Sequence, residues 1–136
     1  MSTLYPNGGA LVLAGKVKTA LATSTLHLYK AISRPLGPGT VIGDFTECDY
    51  DGYAAKTITA WNNPYLDPAG GASIQSGLEQ FDYVYATGIT NNVLGFYLVD
   101  SGSNLFFVGD FTDPIAMAAN GDAIPLSLIL NYGAPA

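Results

Sequence analysis

Short runs of alternating polar and apolar residues, separated by Gly, Pro and Asn at intervals of about ten residues, constrain this chain more than any other feature. Thr25-Leu26-His27-Leu28-Tyr29-Lys30 puts Leu26 and Leu28 on one side and His27 and Tyr29 on the other. Lys56-Thr57-Ile58-Thr59-Ala60-Trp61 sets Ile58 and Ala60 against Thr57, Thr59 and Trp61, a half-buried strand. Phe81, Tyr83 and Tyr85 alternate with Asp82 and Val84, and Leu94, Phe96 and Leu98 share a face between Val93 and Val99. The Asp100–Asn104 turn then leads into a strand from Leu105 to Phe111, closing a hairpin. Asp113-Pro114 opens a strand through Met117, and Asn120-Gly121-Asp122 marks another tight turn. Ile124, Leu126, Leu128 and Leu130 alternate with Pro125, Ser127 and Ile129, and Pro125 places the start of that strand at an edge. Val41-Ile42 adds a brief strand.

About eight short strands with tight turns predict an all-β fold, an antiparallel β-sandwich of jelly-roll or immunoglobulin-like type. Periodicity does not reveal strand order. Residues 1–24 read as an N-terminal arm or short helix, and residues 25–136 as the sandwich. Ala content favours helix over residues 10–22, whereas Gly15 and the β-branched residues weaken it. As a functional element this segment is an arm docked on a neighbouring subunit; as a structural one it is a peripheral piece of core. The interface reading places Leu4, Tyr5, Leu11 and Leu13 on the arm and Tyr65 in the long Asn62–Gly71 loop.

Charge narrows the function classes. Only 12% of residues are charged, against about 25% in an ordinary domain, while 49% are hydrophobic. Such a surface suits a protein packed against others. All five basic residues precede residue 57, and residues 57–136 hold seven acids without a Lys or Arg. Phosphate recognition needs those cations, so neither nucleic acid nor an anionic membrane is an expected partner. One cysteine, Cys48, excludes an internal disulfide and fits assembly in a reducing compartment. Leu11-Val12-Leu13-Ala14 is too short and too poorly flanked for a signal peptide.

No catalytic set is visible. Glu47-Cys48-Asp49-Tyr50-Asp51-Gly52 mimics the opening of a calcium loop, but the twelfth position, where a bidentate acid belongs, is Ile58. A solvated acidic edge is the better reading, with a weak divalent site as the alternative. One His and one Cys permit a Cys–His pair by arithmetic, but not a zinc cluster. No cofactor is expected. Tyr50, Tyr53, Trp61 and Tyr65, like Phe81, Tyr83 and Tyr85, read as core and interface aromatics ahead of a sugar-binding platform.

Several stretches carry a family likeness. The Thr25-Leu26-His27-Leu28-Tyr29-Lys30 strand, Asp44-Phe45-Thr46-Glu47 with Gly52-Tyr53-Ala54, Gly95-Phe96-Tyr97-Leu98-Val99-Asp100, and Asp110-Phe111 with Pro114 resemble small tailed-phage virion structural proteins. The resemblance spans most of residues 25–130. It implies a non-enzymatic capsid decoration or cement protein, a homodimer or homotrimer that bridges major capsid protein subunits. Such a chain would be assembled in the host cytoplasm and end on the virion surface. Tail or baseplate placement, and a carbohydrate-binding sandwich on a receptor-binding appendage, are the alternatives.

Overall fold

A computed structural model describes residues 7–68 and 70–132. It is an all-β antiparallel sandwich with one N-terminal helix, α1 (Asn7–Ala20), and ten strands among the described residues. The strands are β1 (Ser24–Ile32), β2 (Phe45–Glu47), β3 (Lys56–Ile58), β4 (Tyr65–Leu66), β5 (Ala72–Gln75), β6 (Glu79–Asp82), β7 (Asn91–Val99), β8 (Leu105–Met117), β9 (Ala123–Leu126) and β10 (Ile129–Tyr132). The largest sheet runs β2-β1-β7-β8, with β3 paired further along the same edge of β1 as β2. A three-stranded sheet, β10-β5-β4, and a two-stranded ribbon, β6-β9, complete the set.

The alternation of β1 divides the large sheet into two unlike faces. Leu26 and Leu28 point into one hydrophobic cluster with Ile58, Leu98, Ile74, Phe81, Ile124 and Leu130. The helix joins that cluster through Ala10, Ala14, Val17 and Leu21, which recur at one-turn intervals along a single stripe. Residues 7–24 thus fold back onto the body, where α1 contacts β5, β10 and β4. Trp61 fixes the exit of the helix: its indole N–H donates to the Leu21 carbonyl at 3.0 Å.

His27 and Tyr29 lie on the opposite face, beside Tyr97 and Gly95 of β7. There His27 stacks on Tyr97 (4.8 Å between centroids, 6° between planes), and Tyr97 stacks on Phe45 (4.5 Å, 11°). Tyr29 and Tyr97 are both buried, yet neither belongs to the central cluster. A second, aromatic layer therefore exists outside the main core.

Several local expectations change. Val41-Ile42 is not a strand, because residues 42–44 form a 3-10 turn in which the Asp44 carboxylate accepts the Val41 N–H at 2.9 Å. The alternation of residues 57–61 stops at Ile58, and both Ile58 and Trp61 end up buried. The two strands expected over 105–117 are one, β8, with Pro114 inside it at the sheet edge. Conversely, the single run over 124–130 splits into β9, paired with β6, and β10, paired with β5. A register shift between Val93 and Gly95 breaks the expected Leu94–Phe96–Leu98 face: Val93 is fully buried and Leu94 lines a groove beside Tyr29.

Candidate functional site: two loops held by buried carboxylates

Antiparallel register brings three connections to one end of the large sheet. Tyr29 pairs with Gly95 and Asn91 with Met117, so the end of β1, the start of β7 and the end of β8 lie together. Loop 33–44 leaves this end, loop 84–90 enters it, and the 118–122 turn closes beside them.

The acidic segment between β1 and β3 organises both loops. Asp51, buried within it, accepts hydrogen bonds from the N–H groups of Ala86 (2.8 Å), Thr87 (2.7 Å) and Gly88 (2.6 Å) and from the Thr87 hydroxyl (2.9 Å). Backbone bonds from Asp51 N–H to Ile89 and from Val84 N–H to Asp51 tie the loop at both ends. The Ala86 N–H above all, helped by Gly88 and Thr87, holds the Asp51 carboxyl far below the usual range. Gly52 turns beneath the loop with φ of +85°, and a Cβ there would press on Val84. What this scaffold displays is apolar: Val84 is 58% exposed, Tyr85 64% and Ile89 47%.

Asp44 does the parallel job for loop 33–44. Its carboxylate accepts from Arg34 Nε at 2.9 Å, from Val41 N–H at 2.9 Å and from Ser33 Oγ at 3.3 Å. The Ser33 N–H donates to the Asp44 carbonyl, so the two ends of the loop meet. Arg34, then Val41, lowers the Asp44 pKa. Pro35 and Leu36 sit near Asp110 and Phe111, whereas residues 41–43 share a hollow with Ser103 and Asn104 at the far end of β8. The loop therefore runs along the aromatic face, with Leu36, Val41 and Ile42 exposed.

The other acids of the segment are also engaged. Glu47 takes a 2.6 Å hydrogen bond from the Tyr53 hydroxyl and lies 2.6 Å from His27 Nδ1, while that hydroxyl accepts the Leu28 N–H. Asp49 pairs with Lys30 at 2.7 Å and receives the Asn91 amide. Of the expected solvated acidic edge, Glu47 and Asp49 are exposed and Asp51 is buried, and the three carboxylates hold the chain's own groups and point to different partners. No cluster of His, Cys, Asp and Glu among the described residues has the geometry to share a metal ion.

The nucleophile candidates separate in space. Cys48 lies in the main core, where burial pushes its thiol up to about 12, while His27 faces Glu47 and Tyr97 on the other side of the sheet. His27 and Glu47 form an orienting pair of the kind that activates a hydroxyl or thiol, but no Ser, Thr or Cys side chain among the described residues bonds the imidazole. Of the aromatics weighed for sugar stacking, Trp61, Tyr50, Phe81 and Tyr83 are buried and Tyr85 alone is well exposed.

The interface residues read from sequence fall elsewhere. Leu4 and Tyr5 lie outside the described residues. Leu11 is half-buried against the chain's own core, Leu13 is half-buried on α1, and Tyr65 sits on β4 beside that helix. Sequence reading missed Val84 and Ile89 and assigned Tyr85 to a strand face; β6 ends at Asp82, which turns Tyr85 out. No family model, curated protein or solved structure matches this chain.

Proposed function

We propose that this is a non-enzymatic structural protein that attaches to a protein lattice through its loops, in the concrete form of a capsid decoration protein. The observation that carries the reading is loop 84–90, whose three large apolar side chains stand in solvent on a backbone fixed by one buried carboxylate. Val84, Tyr85 and Ile89 are exposed on one short loop, and a grouped apolar display marks a contact surface. Fixing the loop beforehand removes the ordering entropy from the binding step. Tyr is also among the residues that most often anchor interfaces. Repetition over a lattice would turn modest single contacts into lasting attachment.

The choice of a virion as the lattice, with the major capsid protein as partner and assembly in the host cytoplasm, comes from the sequence resemblance. Low surface charge fits such a role. The test is cosedimentation with tailed-phage heads stripped of this chain. The reading expects the protein to pellet with heads, and Val84→Ser with Tyr85→Ser to abolish pelleting without altering circular dichroism. A wild-type protein that stays in the supernatant as a monodisperse monomer contradicts it.

A further inference from the structure

Beside the two loops lies a groove of about 400 Å³ on the aromatic face of the large sheet. Ile32, Pro35, Leu36 and Phe111 supply apolar walls, and Tyr29 and Asp110 bring the polar atoms. Gly95 makes this possible. A Cβ there would meet the Gly109 carbonyl oxygen and lie 2.7 Å from the Tyr29 hydroxyl and 2.8 Å from Asp110 Cα. Without a side chain at position 95, the Tyr29 phenol reaches across β7 to the neighbourhood of Asp110.

Neither polar group is used by the fold. The Tyr29 ring is buried, its hydroxyl opens to the groove without a hydrogen-bond partner among the described residues, and the exposed Asp110 has neither hydrogen bond nor ion pair among them. Burial, and then the charge of Asp110, raise the Tyr29 pKa, as expected of a phenol held near a carboxylate without a cation between them. Four of the chain's five Lys and Arg side chains are engaged elsewhere: Lys30 on Asp49, Arg34 on Asp44, Lys18 on Asn63 and Lys56 over Phe81.

We infer that this groove receives a lysine or arginine side chain from the surface on which the protein docks. An aliphatic stem would lie along Ile32, Leu36 and Phe111, and its cationic head would donate to the Asp110 carboxylate and the Tyr29 hydroxyl oxygen. Charge complementarity supports this occupant, since Asp110 is the one charged side chain among the residues that line the groove. An anionic or purely apolar guest would leave the carboxylate unpaired at the groove. The inference rests on the docking reading above and names the chemistry of the partner.

N-butylguanidinium and n-butylammonium are the probes, with 1-butanol as the uncharged control, read by amide shifts of isotopically labelled protein. The groove predicts shifts at Leu94, Gly95, Asp110 and Phe111, with binding of the cations about tenfold or more tighter than butanol. Asp110→Asn should reduce the cations to the butanol level, whereas Asp113→Asn, at an exposed position outside the groove, should not. Tyr29→Phe should weaken binding severalfold while leaving the melting midpoint unchanged, because the hydroxyl bonds nothing in the free protein. Equal binding of butanol and the cations, or no shifts at these residues, overturns the assignment. The readout is independent of heads: a groove that ignores the cations in a protein that still pellets removes this inference alone. A groove that binds them in a protein that never pellets upholds the site and removes the virion reading.

Discussion

The two loops at the end of the large sheet solve one problem with different chemistry. Loop 84–90 is held by a buried Asp51 bonded to neutral donors, three backbone N–H groups and a hydroxyl. Loop 33–44 is held by Asp44, for which an exposed Arg34 guanidinium supplies the main partner. The first arrangement resembles the way a helix N-terminus or backbone nest binds an anion, with fixed dipoles that cost little to orient. The second depends on a long, solvent-facing side chain that gives up rotamer freedom and is screened by salt. The difference teaches which loop is rigid by construction, and it is the one that displays Val84, Tyr85 and Ile89.

Removing the pins should expose that ranking. Asp51→Ala leaves the Ala86, Thr87 and Gly88 N–H groups without their buried acceptor, and we expect the thermal midpoint to fall by roughly 10 °C, the largest loss among single changes in either loop. Asp44→Ala deprives Val41 N–H and Arg34 of a partner that water replaces readily, and a fall of about 4 °C is expected. If Asp44→Ala proved the more damaging in calorimetry, the comparison would be inverted.

Acidity tests both pins together. Asp44, Asp49, Asp51 and Asp100 all have folded pKa values below their unfolded ones. The unfolded chain therefore takes up protons first as pH falls, and the stability these groups supply is complete above about pH 5 and is lost as pH drops through their folded values. Asp51 should titrate last. At the alkaline side the sign is reversed for groups kept neutral. Cys48 and Tyr97 are pushed up to about 12 by burial, so the stability linked to their neutral forms is full below about pH 8 and drains as pH rises toward 12. Urea midpoints measured from pH 2 to 11 should trace a plateau with both shoulders, and a midpoint flat below pH 4 would count against the pinned carboxylates.

The smallest effects concern the exposed ion pair. Arg34→Ala should move the midpoint by about 1 °C, and 0.5 M salt should erase most of that difference. The same salt should leave Asp51→Ala as damaging as before. Equal salt sensitivity of the two loops would remove the distinction between dipole and charge.

How much of this was legible in the chain depends on the range of the interactions. The alternation around Leu26 and Leu28 and the Asp100–Asn104 turn identified β1 and the β7–β8 hairpin because those signals are local. The stripe Ala10, Ala14, Val17, Leu21 also resolves the helix, once it is read at helical rather than strand spacing. Asp44 sits three residues after Val41, so the turn that replaced the expected strand had a local signal that β-branched propensity outweighed. Asp51 is different. Its partners lie 35 to 37 residues away, and nothing in Glu47–Gly52 distinguishes a carboxylate that will be buried from one left in water. The groove was hidden for the same reason, since Tyr29, Gly95 and Asp110 meet only through strand register.

Native-state hydrogen exchange at Ala86, Thr87 and Gly88 tests the central claim most directly. If Asp51 fixes loop 84–90 before any partner arrives, these three amides are protected to nearly the level of the β1–β7 amides, and Asp51→Asn frees them while the sheet stays closed. Exchange of all three at the rate of an unstructured peptide in the wild-type protein, with the sheet protected, would contradict it.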